Sequence, residues 1–289
     1  MMISIPAFKK PMKIRSLATS RAGDFVAAAA FENSIEIWDL RTQSVVSRFG
    51  TFFGYGGKRL AIDQSGQTVV AGNYKRGVGR YEVATGRQIW HAKGFRGVQG
   101  CSLPDGDRVV VVNTTTSSFV LDLETGVRLD RVIGAKELSI HSDGSRMVER
   151  TWGFTYSDED YSLKVKMDSF ALLAAVKIGD SLVLSFVGGP LQRVRISDGV
   201  ILWKKEEPDH HFLELSSLLA EGQIFGTYYN YQRSGQTLRR IDFETGNHEV
   251  VVSLNTMESA FAKEGSMLVS VDRSLYRTSD GVKVGEVSE

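Results

Sequence analysis

The chain has 289 residues, enough for one large core, and no stretch has the Pro/Ser-rich or single-charge composition of a linker, so one domain (1–289) is expected. Its 42% hydrophobic and 24% charged residues exclude a disordered chain. Thirty-five Lys plus Arg against 34 Asp plus Glu leave a formal charge of +1, so neither nucleic acid nor a membrane surface is an expected partner.

Met1 to Lys10 has no apolar run long enough for a signal-peptide core, and its lysines follow the apolar residues instead of preceding them. Residues 1–12 are read either as an arm or as a strand that closes the last repeat. Strand signals then begin. Ser20-Arg-Ala-Gly23, Gln64-Ser-Gly66 and Pro104-Asp-Gly106 each precede a Val-rich or Ala-rich run. Twenty residues after each of those glycines comes a second turn, at Arg41-Thr-Gln43, Thr85-Gly86 and Thr125-Gly126. The runs between them, Ile35 to Leu40, Gly79 to Val83 and Phe119 to Leu123, end in alternating apolar and polar residues, the period of a half-buried strand.

Ser142-Asp-Gly144, Ile178-Gly-Asp180, Ala220-Glu-Gly222 and Lys263-Glu-Gly265 open further units, the last closing at Ser279-Asp-Gly281. The leading glycines lie 43, 40, 38, 35, 43 and 43 residues apart. A mean period of about 40 is that of a four-stranded propeller blade. The expected fold is therefore all-β, a seven-bladed β-propeller of four-stranded antiparallel blades over residues 13–287. In blade four, strands are read at Arg146 to Thr151, Gly153 to Tyr156 and Tyr161 to Met167, with Trp152 to Asp160 as a long loop in the alternative reading. The longest apolar run, Phe25 to Phe31, is far short of the roughly 20 residues that span a bilayer. Cys101 is the only cysteine, so no intramolecular disulfide exists, and a cytoplasmic location is expected.

Trp38-Asp39 with Leu40 and Thr42 resembles the end of a WD40 repeat, and Leu121-Asp-Leu-Glu-Thr-Gly126 and Ile241-Asp-Phe-Glu-Thr-Gly246 are close variants. The Gly-His dipeptide of that family is absent. Ala84-Thr-Gly-Arg-Gln-Ile-Trp90 and Ser197-Asp-Gly-Val-Ile-Leu-Trp203 look instead like quinoprotein-type blades, in which a Trp follows the turn. In both families these residues are structural. Enzymes of the quinoprotein type are longer, with adjacent cysteines and an export signal that are not seen here.

The resemblance implies a top face formed by the loops between blades (d–a) and between the second and third strands of each blade (b–c). Mapped onto the repeat, those loops hold Phe52, Phe53, Tyr55, Tyr74, Arg76, Phe95, Arg96, Trp152, His210, His211, Tyr229 and Tyr231, the candidate protein-binding residues. Tyr, Trp and Arg are the side chains that carry most interface energy. His210-His211 is no metal site, because adjacent strand residues point apart and too few other ligands exist. Ser157 to Asp160 lacks the Gly and distal Glu of a calcium loop, and Gly54 to Gly57 lacks the Gly-Lys-Ser/Thr of a phosphate loop. No cofactor and no catalytic residue are expected. The sequence points to a monomeric, non-catalytic scaffold for a protein or peptide. A stoichiometric inhibitor or immunity protein, and a hydrolase or lyase using the central funnel, are the alternatives.

Overall fold

The computed structural model describes residues 14–20, 24–30, 34–51, 59–104, 108–135, 137–140, 145–150, 153–158, 162–166, 172–206, 210–218, 223–230, 235–254, 256 and 258–288. They form seven antiparallel sheets, each pairing four strands in sequence order. Blade one is β1 (Ile14–Thr19), β2 (Phe25–Ala30), β3 (Ser34–Asp39) and β4 (Ser44–Gly50). Blade two is β5 (Leu60–Ile62), β6 (Thr68–Asn73), β7 (Gly77–Glu82) and β8 (Gln88–Ala92). Blade three is β9 (Val98–Ser102), β10 (Val109–Thr114), β11 (Ser117–Asp122) and β12 (Arg128–Ile133). Blade four is β13 (Glu137–Ile140), β14 (Arg146–Arg150), β15 (Gly153–Ser157) and β16 (Ser162–Lys166). Blade five is β17 (Leu172–Ile178), β18 (Ser181–Phe186), β19 (Leu191–Arg195) and β20 (Ile201–Lys205). Blade six is β21 (His210–Leu218), β22 (Gln223–Asn230), β23 (Gln236–Ile241) and β24 (His248–Leu254). Blade seven is β25 (Ser259–Ala262), β26 (Met267–Ser270), β27 (Ser274–Arg277) and β28 (Lys283–Glu286). Blade four follows the first of its two expected arrangements: Val148 pairs with Thr155, and Tyr156 with Leu163.

Every seam between neighbouring blades has its own hydrophobic cluster. Blades one and two meet through Ile35, Ile37, Leu60, Val69 and Tyr81, and blades five and six through Val183, Leu191, Phe212 and Ile224. The middle strands of a blade are covered on both faces by its neighbours. That is why β18 is buried at every position, its two serines, Ser181 and Ser185, included. The outer strand, by contrast, has solvent along its free edge, and β12 is exposed at nearly every position.

The c–d turns repeat one construction. Asp122 Oδ1 accepts hydrogen bonds from the Thr125 amide (2.7 Å) and hydroxyl (2.6 Å), and Asp242 Oδ1 accepts the same pair from Thr245. The turn closes on a glycine with positive φ, +71° at Gly126 and +72° at Gly246. Blade one puts Gln43 at the corresponding place, at φ +52°. Each turn is then gripped by the preceding blade. Trp90 Nε1 donates to Leu123 O (2.7 Å), while Arg80 donates to the same carbonyl and to Glu124. Trp203 and Arg193 treat Phe243 O and Glu244 in the same way.

These turn aspartates are expected to make the fold sensitive to acid. Hydrogen bonds from Thr125, Thr245, the Arg41 and Arg277 side chains and the Val200 amide hold Asp122, Asp242, Asp39, Asp280 and Asp198 below the ordinary carboxylate range. A carboxylate whose pKa is lower folded than unfolded stabilises the fold above its unfolded value, about 3.9, and loses that contribution as pH falls through the folded value. Melting temperature is expected to be level from neutral pH down to about 5 and to fall below about 4. Asp122→Asn with Asp242→Asn should make that decline shallower; a decline of unchanged steepness would assign it to other groups.

The ring closes without shared strands, because blade one is complete from β1 and blade seven from β28. The stretch Met2 to Phe8, read as an arm or a closing strand, lies outside the described residues. The seam between these blades buries Trp38 against Val26, Leu275 and Val287. Ser288 then pairs in parallel with Ser44, its amide donating to Gln43 O (2.8 Å) and its carbonyl accepting from Val45 N (3.0 Å). Beneath lies Glu36, fully buried. Arg48 contacts it at 2.6 Å, Arg273 of blade seven at 2.9 Å, and Trp38 Nε1 donates to it at 2.9 Å.

Candidate interaction face

Three loops over blades two and three are tied into one surface. Asn73, at the end of β6, accepts hydrogen bonds on Oδ1 from the amides of Lys75 (2.8 Å) and Arg76 (3.1 Å), which shapes the b–c loop as an Asx turn. Gly97, in the following d–a loop, donates to Tyr74 O (2.7 Å), and Gly97 O accepts from Thr115 N (3.0 Å) in the b–c loop of blade three. Gly97 has φ +69°, and a Cβ there would lie 2.7 Å from the Thr115 hydroxyl, so the close approach of these loops requires glycine. His91 adds a ring-nitrogen hydrogen bond to Arg76 O (2.8 Å). On this base Tyr74 is 48% exposed, with the Arg59 guanidinium 5.7 Å from its ring centroid, and Lys75, Arg76, Lys93 and Arg96 are exposed around it.

Tyr74, Arg76 and Arg96 thus share one surface, as the repeat mapping expected of d–a and b–c loops. Phe95 does not belong to it. Only 8% exposed, it packs edge-on against Phe119 (4.9 Å between centroids) and supports the loop from below. A large aromatic side chain is more stable inserted in the seam than left in water. His210 and His211 fall in β21, in backbone register with Asn230 and Tyr229, and not in a loop. Tyr229 is half-buried in β22, and its neighbour Tyr228 is buried under Arg239, whose guanidinium lies 3.7 Å from the ring centroid. Phe52, Phe53, Tyr55, Trp152 and Tyr231 lie outside the described residues.

Asn113, near the end of β10, closes a two-way amide bond with Leu138 of blade four and is structural. Burial pushes the Cys101 thiol up to about 12, so it packs as a small apolar group. An open depression of about 690 Å3 lies beside the c–d turn of blade six, lined by Arg240, Asp242, Asn247 and His248 among others. His248 is held there by Arg239, which donates to its Nδ1 (2.8 Å), and by the Phe212 ring edge. Among the described residues no cluster of His, Cys, Asp or Glu could hold a metal ion, and no helix is long and apolar enough to cross a membrane.

Residues 36–129, from β3 to the start of β12 and less than half of the chain, match the family described as outer membrane protein assembly factor BamB. The sequence comparison with curated proteins gave no match. Among solved structures, the RRP9 WD40 repeats are similar over 90% of this chain and 87% of theirs, at 14% identity and a TM-score of 0.66. A chain of the mitotic checkpoint complex matches at 14% identity over 100% of this chain and 99% of its own, with a TM-score of 0.68. The Cps50 (Swd1) β-propeller domain of Myceliophteria thermophila follows at 13%, over 94% and 95%, with 0.65. The chain has the WD40-like β-propeller fold. At these identities the likeness is one of fold alone. This WD40-like propeller keeps a single Trp-Asp pair, and both members are structural: Trp38 fills the closing seam, and Asp39 binds the Arg41 amide and guanidinium. Trp90 and Trp203, the quinoprotein-like feature, each bond a backbone carbonyl of the adjoining blade.

Proposed function

We propose that this propeller is a non-catalytic binding module that grips a protein or peptide through the top-face loops of blades two and three. The observation that carries this reading is the exposure of Tyr74, Arg76 and Arg96 on loops already bonded to one another through Gly97. A surface organised before the partner arrives spends little entropy in ordering itself on binding. The carboxylates with lowered pKa support the same reading, since each is accounted for by hydrogen bonds within a strand-end turn and none is poised for proton transfer. The similar solved structures include a chain of the mitotic checkpoint complex, an assembly of proteins, which fits a scaffold.

The test is capture of partners from native lysate by the intact protein beside a Tyr74→Ala, Arg76→Ala, Arg96→Ala variant. Removal of hot-spot side chains costs about 2 kcal/mol or more each, so a partner held by this face should be lost. Thermal stability should change little, because exposed positions contribute about 0.5 kcal/mol or less. Identical partners with both proteins would move the site to another surface.

A further inference from the structure

We propose that the occupant of this face is an acidic peptide segment bound across blades two and three; the inference rests on the binding-module reading above. Four exposed cations lie on these loops, Lys75, Arg76, Lys93 and Arg96, with the half-buried Arg59 against the Tyr74 ring. Loops 73–76 and 93–97, which carry Lys75, Arg76, Lys93 and Arg96, and the adjoining loop 115–116 contain no Asp or Glu, and among the described residues no carboxylate forms an ion pair with these four cations. Elsewhere in the molecule several surface arginines are neutralised locally, as Arg195 is by Asp198, Arg240 by Glu249 and Arg277 by Asp280. In a chain whose formal charge is only +1, this is a local imbalance and not a general basicity.

Like charges held close on cross-bonded loops repel, and a ligand that brings carboxylates relieves the repulsion and gains steering from it. Arg76 and Arg96 suit bidentate carboxylates, and the Tyr74 face suits an aromatic or aliphatic neighbour in the same peptide. A nucleic acid is less well matched. The cations occupy only the loops of blades two and three, a short footprint for a continuous phosphate backbone.

The experiment is fluorescence anisotropy of a labelled random copolymer of glutamate and tyrosine, with a glutamine–tyrosine copolymer and a single-stranded oligonucleotide as comparisons. The copolymer presents every local order of acid and aromatic, so no particular peptide sequence has to be chosen. The intact protein should bind the glutamate copolymer, with affinity that falls as salt rises, and should bind the glutamine copolymer at least about tenfold more weakly. Arg76→Glu with Arg96→Glu should weaken binding by about tenfold or more, and Arg76→Lys with Arg96→Lys by less. No binding of the glutamate copolymer, equal binding by the reversed variant, or an oligonucleotide bound as tightly as the copolymer would each overturn the proposal. A lysate partner lost with the alanine variant yet indifferent to salt and to charge reversal would leave the binding face standing and overturn the acidic peptide.

Discussion

Glu36→Gln is expected to destabilise the protein by about 3–5 kcal/mol, the range seen when one partner is removed from a buried ion pair. The carboxylate is 0% exposed and receives Arg48, Arg273 and the Trp38 indole together. Its neutralisation takes from two largely buried guanidiniums the carboxylate charge that they share. The position matters as much as the burial: Glu36 lies on β3 of blade one, while Arg273 lies between β26 and β27 of blade seven. This bond therefore spans the only seam whose two blades are joined by no direct chain connection. The melting temperature should drop by several degrees, at roughly 2–4 °C for each kcal/mol in a chain of this size. Replacing Glu36, Arg48 and Arg273 together by Met should recover much of the loss, since a buried ionic group exchanged for apolar side chains of similar volume is often neutral. If the single variant melted within about 2 °C of the parent, the network would not hold the seam.

Gly126→Val should cost about 3 kcal/mol, through two separable effects. At φ +71° a β-branched residue is strained by about 1–2 kcal/mol. Its Cβ would also meet Trp90 Cδ2 at 2.8 Å, and overpacking of this kind costs about 1–3 kcal/mol. Trp90 has little room to retreat, because its indole N–H is committed to Leu123 O in the same turn. Gly179→Ala provides the comparison. It shares the positive φ, at +53°, but a Cβ there has no heavy atom within 4 Å. Chemical denaturation should show about 1 kcal/mol lost at Gly179 and about three times that at Gly126. Equal losses would mean that turn strain acts alone and that the Trp90 contact adds nothing.

The blade count and most strand positions were legible because each rests on local chemistry repeated at a fixed distance. Turn residues and apolar runs obey short-range rules, so Gly86, Gly126 and Gly281 could be placed from their neighbours alone. Even the turn without glycine, at Gln43, stood out by its spacing of twenty residues from Gly23. The grip of one blade on the next left a fainter signal. Arg80 precedes Trp90, and Arg193 precedes Trp203, by the same ten residues, and each pair meets an Asp-x-Glu-Thr-Gly turn of the following blade.

The candidate site was legible only in part. Of the residues mapped to loops, Tyr74, Arg76 and Arg96 lie on loops that are bonded to one another. The mapping also included Phe95, which turns inward, and His210 and His211, which belong to a strand. Composition says that a side chain is large and apolar, but not on which side of a loop it lies; that depends on whether a seam beneath has room, and Phe119 provides it. By itself the sequence determined seven units, their turns and the alternation within them, since all three follow from residues close along the chain. Only the tertiary structure decided which charges meet: Glu36 and Arg273, 237 residues apart, are joined because the ring closes, and the cations of blades two and three are neighbours because Gly97 lets their loops touch.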